Sequence, residues 1–225
     1  MTEFDLVIFD CDGVLIDSEI ISAHMLLAEL SRLGLTIDLP YVERHFLGRS
    51  YPVVMETIRR EFGLNLPPDF EAQYREALLA AFQTELKVMP HVHDVLSGIG
   101  VPFCVATSSS PRRVEMSLDL VGLSTLVGGR VFTSTLVARG KPAPDLFLHA
   151  AARMGAEPGR TLVIEDSLTG IRAGLAAGMT VWRFVGGSHL GPEAPEEPAD
   201  ARPHRRLASF AGFFQIAPGL VRKAA

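Results

Sequence analysis

A chain of 225 residues with a formal charge of −5 and two cysteines has room for one large domain, or for a core that carries an insertion. At this length roughly 70–75% of the unfolded surface is buried on folding, so no metal or disulfide staple is required. The mild charge and the lack of a Lys/Arg-rich run argue against nucleic acid as a partner, and no apolar stretch of ~18 residues suggests a membrane span.

Thr2, Glu3 and Asp5 precede a short strand at 4–10, with no basic region and no signal-peptide core. Cys11 and Cys104 sit in apolar runs and do not form a disulfide framework. Both features lead us to expect a cytoplasmic protein. After the strand, Asp17 or Ser18 is positioned to cap a helix carrying Ile21, Met25, Leu26, Leu30 and Leu33 at helical spacing, closed by Gly34. Helical patterns follow at about 50–62 and 69–86, separated by Gly63 and the Pro67–Pro68 pair. No strand is expected between Ser18 and Leu86, so 17–86 is read as a helical insertion into a core made of 1–16 and 87–225.

From Pro90 the pattern alternates. A short helix runs through Leu96, then a strand at 101–108, a helix behind Pro111, and a short strand at 131–135. A helix at 143–154 ends at Gly155 and a strand follows at 161–166. A glycine-spaced helix (Gly170, Gly174, Gly178) leads into a strand at 180–185. Strands alternating with helices of this length imply parallel βαβ units, hence an α/β fold. Residues 186–204 read as a surface loop and the tail from Arg205 as a last helix with a frayed end.

Several of these strands end on polar chemistry, at the sheet edge where open α/β sheets bind ligands. In FDCDGVLIDS, Asp10 and Asp12 flank one residue and Gly13 permits close backbone approach. Carboxylates this close repel unless a cation holds them, and Mg²⁺ suits oxygen ligands beside a phosphate. A calcium loop would need a third acid before its glycine and a helix ahead of it; neither is present. Ser108 and Ser109, ahead of the helix at Pro111, offer hydroxyls and free N–H groups to a phosphate. Thr107 competes for the key hydroxyl, and a serine ahead of proline is also an ordinary cap. Lys141, between Gly140 and Pro142, is aimed by a stiff backbone, although a lone loop lysine is commonly solvated. Glu165 and Asp166 close the strand at 161–166; they read as a metal-type acid pair or as acids at a helix start. Gly170, Gly174 and Gly178 suit helix packing, and no G-x-G-x-x-G or P-loop pattern is present.

Taken in order, FDCDGVLIDS, TSSSP, GKPAPD and VIEDS resemble the haloacid dehalogenase-like (HAD) superfamily across nearly the whole chain. The helical block after the first motif is similar to the small cap of the branch with β-phosphoglucomutase and sugar-phosphate phosphatases. The resemblance implies a Rossmann-like core with an inserted helical cap domain. It implies that Asp10 is the nucleophile, Asp12 the general acid/base, Ser108 with Ser109 the phosphate contact, and Lys141 the charge anchor. Asp10, Asp12, Glu165 and Asp166 are the implied Mg²⁺ set. The dehalogenases of the superfamily generally lack an acid where Asp12 stands, which favours phosphoryl chemistry. The implied activity is Mg²⁺-dependent hydrolysis of a small phosphorylated metabolite, a sugar or sugar-acid phosphate, through an aspartyl-phosphate. The alternative is a phosphohexose mutase. The mutases usually carry a His and a Trp one turn apart on the first cap helix, where Ser22 and Leu26 stand. The turn-like segment 45–52, with Arg44, His45 and Arg49, is expected to face the site; Arg49 is the candidate substrate contact, or else a solvated loop arginine. We expect a monomer or weak homo-oligomer.

Overall fold

Short apolar runs bounded by polar residues become strands, and runs with helical spacing become the layers around them. In the computed structural model, which describes residues 3–46, 49, 51–190 and 196–222 without the side chains of Glu43 and Arg44, β1 (Leu6–Phe9) leads into four helices. These are α1 (Glu19–Arg32), α2 (Leu39–His45), α3 (Tyr51–Phe62) and α4 (Phe70–Glu85). Then come α5 (Val92–Gly98), β2 (Phe103–Thr107), α6 (Pro111–Leu120), α7 (Ser124–Val127) and β3 (Val131–Thr133). The chain continues through α8 (Asp145–Met154), β4 (Thr161–Glu165), α9 (Leu168–Ala176), β5 (Thr180–Phe184), β6 (Arg205–Leu207) and α10 (Phe213–Ile216).

The described strands form one parallel sheet in the order β3-β2-β1-β4-β5-β6. The chain runs outward from β1 in one direction and then from β4 in the other, so the order reverses between these two strands. Ligands bind at such a point, outside the carboxyl ends of the strands. The ladder pairs Phe9 with Ile164, which sets Asp10 beside Glu165.

Because strand side chains alternate faces, the sheet feeds two apolar layers. Val7, Phe9, Val105, Leu162 and Ile164 pack with Val95, Leu118 and Phe213 on one side. Leu6, Ile8, Cys104, Val163 and Val181 pack with Phe147 and Ile171 on the other. Gly174 lets α9 lie close on the sheet, since a Cβ there would stand 2.6 Å from Val181 Cγ2. Helices α1–α4 share a third cluster of their own, built on Leu26, Leu30, Ile58, Leu78 and Phe82, and Met116 of α6 packs against it. Among the described residues both cysteines are free and buried, and no helix is long and apolar enough to cross a membrane.

Several elements differ from expectation. Ser18 does precede α1, but its hydroxyl makes no cap bond. It donates to Asp12 instead. Helix α2 carries no clear sequence pattern; Asp38 caps it by accepting from the Tyr41 amide. The tail from Arg205 is not helical at its start. Arg205–Leu207 adds a strand beside β5, its entry fixed by His204 N–H donating to Val181 O at 2.8 Å. Three residues on a sheet edge are too few to show a period. The 186–204 segment is also more than a surface loop. Ser188 donates from N and Oγ to Asp17, Glu197 pairs with buried Arg183 at 2.7 Å, and Ala201 is buried. Residues 191–195 of that segment lie outside the described set.

Candidate active site

The carboxyl ends of β1, β2 and β4 deliver the acids and hydroxyls to one place. Asp10 follows β1, and its amide donates to Ile164 O at 2.9 Å, which locks the turn to β4. Gly13 then has φ +73°, and a Cβ on it would lie 2.0 Å from Asp166 Oδ2. Only glycine both adopts this backbone without strain and leaves room for the Asp166 carboxylate.

Lys141 is the hub. Its Nζ donates to Glu165 Oε1 at 2.8 Å and to Ala106 O at 2.9 Å, and stands 3.0 Å from Asp10 Oδ1. Only 2% of its side chain is exposed. Burial opposes the lysine's charge, but Asp10 and Glu165 outweigh it and hold the ammonium well above the usual lysine range. Glu165 is completed by Ser167, whose N–H and Oγ donate at 2.7 and 2.9 Å. The lysine is thus aimed by a buried carboxylate, not left to solvent.

Asp10, Glu165 and Asp166 each offer an oxygen within 4.8 Å of the others. Burial pushes the Asp10 carboxyl well up, with Glu165, Asp166 and Asp12 adding to the rise and Lys141 opposing it. Burial, then Glu165, does the same to Asp166. Asp10 Oδ1 meets the Lys141 ammonium as an ion pair at 3.0 Å but is otherwise without a hydrogen-bond partner. Crowded, desolvated oxygen donors with an unsatisfied oxygen among them fit a hard divalent cation.

The Asp12 carboxylate stands apart from that group. Ser18 Oγ and Arg113 Nη2 donate to its Oδ1, both at 2.6 Å, and Ser109 Oγ donates to Oδ2 at 2.6 Å. Burial opposes its ionisation, yet the Arg113 charge and the bonds from Ser109 and Ser18 prevail and hold it below the usual carboxylate range. Thr107, the rival to Ser108, sits under this group with Oγ1 3.4 Å from Asp12 and accepts from the Ser109 amide. Ser108 lines the cavity and its carbonyl accepts from Ser134.

A cavity of about 490 Å³ separates this floor from α1, α3 and α4. Arg49 is exposed and lines it. His45, expected to face the site, stacks on Tyr41 at 4.3 Å instead; the Arg44 side chain and Leu47, Gly48 and Ser50 lie outside the described residues. Three participants escape the sequence reading. Arg113, two residues past TSSSP, has a visible signal in its neighbouring arginine and its one-turn spacing from Ser109. Glu19, beside Asp17 and Ser18, lines the cavity, where burial and the charges of Asp12 and Asp166 push its carboxyl up to about 7. His189 Nε2 lies 2.9 Å from Asp166 Oδ2; it comes from a stretch that carries no local signal.

Residues 4–178 match the family model of haloacid dehalogenase-like hydrolases. The chain is 28% identical over 193 residues to a 6-phosphogluconate phosphatase of Escherichia coli, covering 85% of this chain and 87% of that protein. A conserved haloacid dehalogenase-like protein of unknown function from Agrobacterium tumefaciens superposes with a TM-score of 0.82 at 33% identity, over 95% of this chain and 97% of that one. A HAD family hydrolase from Deinococcus radiodurans, solved with bound phosphate and sodium, gives 0.76 at 33% identity, over 99% and 100%.

Proposed function

Because the chain belongs to the haloacid dehalogenase-like hydrolases, we propose that it is a Mg²⁺-dependent phosphatase of small phosphorylated metabolites, sugar or sugar-acid phosphates, acting through an aspartyl-phosphate on Asp10. The observation that carries this reading is the division of labour between two nearby carboxylates. Asp10 is paired with Lys141 among the metal-type acids, and Asp12 is held apart by hydroxyls and Arg113. One is disposed to attack and the other to move protons.

An Asp10 oxygen attacks phosphorus in line, and the bond to the ester oxygen breaks. Asp12 gives that oxygen its proton. The arriving phosphate supplies the negative charge that favours a protonated Asp12, against the pull of Arg113. Asp12 then takes a proton from water, whose oxygen attacks the phosphoryl group and frees Asp10 and inorganic phosphate. Ser108, Ser109 and the start of α6 hold the phosphoryl oxygens. Lys141 and a Mg²⁺ on Asp10 and Asp166, with Glu165 beside them, would offset the charge of the transferring group. Helices α1–α4, residues 17–86, act as the cap that limits water, and Arg49 on it meets the non-reacting part of the substrate.

Hydrolysis is favoured over the mutase alternative by Ser22 and Leu26. Ser22 Oγ donates to Ser18 O at 2.8 Å and Leu26 is buried in the cap cluster, so neither position carries the mutase-type side chain. The test is a panel of phosphorylated metabolites assayed for released phosphate with Mg²⁺ and with chelator. Metal-dependent release from sugar or sugar-acid phosphates is expected. Absence of release from every ester, or full release by metal-free protein in chelator, would overturn the reading. β-Glucose 1-phosphate with a trace of the 1,6-bisphosphate should give free phosphate faster than glucose 6-phosphate; the reverse would make the chain a mutase.

A further inference from the structure

Arg113 is tied to the site yet has no part in the steps above. It is the third residue of α6, and its Nη2 donates to Asp12 at 2.6 Å and to Ser22 Oγ at 3.1 Å. Its guanidinium lies over the Phe82 ring, 5.3 Å from the centroid. That contact packs the guanidinium against the ring before any ligand arrives. Nε is buried without an acceptor, and Nη1 has none among the described residues. Asp12 takes only one nitrogen of the arginine, the rest of its acceptor capacity being met by Ser18 and Ser109. A half-buried, permanently charged guanidinium, 22% exposed and lining the cavity with Nη1 free to donate, is an incomplete recognition site.

We propose that Arg113 forms a second anion site beside the phosphate site and reads a carboxylate close to the ester oxygen, so that the preferred substrate is a short phosphorylated sugar acid. The inference rests on the phosphatase reading and deepens it. Position sets the reach: Asp12 serves the ester oxygen, and Arg113 is 2.6 Å from Asp12, so the group it meets lies only a few bonds from the scissile link. The other arginines on α4 and α6 that line the cavity are more exposed and face acids at the surface. Arg75 pairs with Glu71, and Arg112 with Glu76 at 2.7 Å. A neutral alcohol at the same place supplies no charge to a guanidinium that Phe82 has partly desolvated. A carboxylate supplies the charge and accepts from Nη1, the end of the guanidinium that Asp12 and Ser22 leave open.

Matched ester pairs test this. 2-Phosphoglycerate against glycerol 2-phosphate and 3-phosphoglycerate against glycerol 3-phosphate differ only in carboxylate versus hydroxymethyl. 6-Phosphogluconate against sorbitol 6-phosphate moves the acid far from the ester. The wild type should favour the acid member of at least one three-carbon pair by about tenfold or more in kcat/KM, mainly through KM. Arg113→Gln should bring that ratio close to one, and Arg113→Lys should restore part of it. Rates on all esters will fall in both variants, since Arg113 touches Asp12, so the ratio within a pair is the readout. Calorimetric binding of the same pairs to Asp10→Asn measures the preference without turnover. Failure to hydrolyse any ester, p-nitrophenyl phosphate included, would therefore sink the phosphatase reading while the binding ratio still judges the anion site. A wild-type ratio near one in both three-carbon pairs, a ratio that survives Arg113→Gln, or a preference confined to the six-carbon pair would overturn the proposal.

Discussion

Lys141 Nζ lies 2.8 Å from Glu165 Oε1, and neither side chain has more than 2% of its surface exposed. The pair joins the loop after β3 to the end of β4 and aims the ammonium at Asp10. Breaking such a pair from one side leaves an uncompensated buried charge, which costs about 3–5 kcal/mol. Lys141→Met and Glu165→Gln should each lower stability by that order. The double variant should lose much less than the two losses added together. Urea unfolding of the three variants measures the coupling, and simple additivity would contradict a direct dependence of one residue on the other.

Gly170 packs against the same carboxylate. It lies in the first turn of α9, where alanine is ordinarily better than glycine by about 1 kcal/mol. Here a Cβ would fall 1.7 Å from Glu165 Oε1, and that oxygen is fixed by Lys141. Gly170→Ala should therefore destabilise by about 1–3 kcal/mol and lower activity by displacing the lysine. A Cβ on Gly159 would meet nothing within 4 Å, so Gly159→Ala serves as the neutral control. Equal Tm values for both alanine variants would show that Glu165 moves aside freely.

The contrast between what is legible in the sequence and what is not has a physical cause. Asp10, Asp12, Ser109, Lys141, Glu165 and Asp166 are readable because each follows a short apolar run or sits in a stiff turn, and such runs reveal strand ends in one dimension. Ser18 reads as a cap because Ser before a helix usually caps, but its backbone is helical rather than extended and its hydroxyl is turned to donate to a buried carboxylate six residues back. His189 reaches Asp166 beside Ser188, which is tied to Asp17, 171 residues away in sequence. A contact of that kind has no local pattern. Strand β6 is hidden for a similar reason: a three-residue edge strand is defined by its neighbour β5, not by its own periodicity.

Asp10→Asn should abolish turnover while the fold persists. The amide is nearly isosteric. The native carboxyl is raised by burial and by Glu165, Asp166 and Asp12 against the attraction of Lys141, and Lys141 keeps Glu165 as its partner, so removing the charge relieves repulsion in metal-free protein. Thermal unfolding in chelator should give a Tm equal to or above wild type, alongside a loss of at least ~10³ in kcat. More than a few per cent of wild-type kcat would remove Asp10 from the nucleophile's role.

Glu19 gives the pH dependence a sign. Its carboxyl is pushed from 4.5 up to about 7, first by burial and then by Asp12 and Asp166. Between these values the folded state binds the proton more tightly than the unfolded chain does. Stability linked to Glu19 is therefore intact below about pH 4.5, falls as pH rises towards 7, and reaches its full penalty above that. The whole difference corresponds to roughly 3 kcal/mol. Because the side chain keeps some solvent contact, about 1–2 kcal/mol is expected. Glu19→Gln removes the ionisable group, so it should match wild type at about pH 4.5 and exceed it at pH 8. Urea midpoints at the two pH values, in chelator to keep metal from neutralising Asp166, give the comparison. A variant that is less stable than wild type at pH 8 would mean that ionised Glu19 is held by a favourable partner, with His189 and then Arg113 the candidates for it.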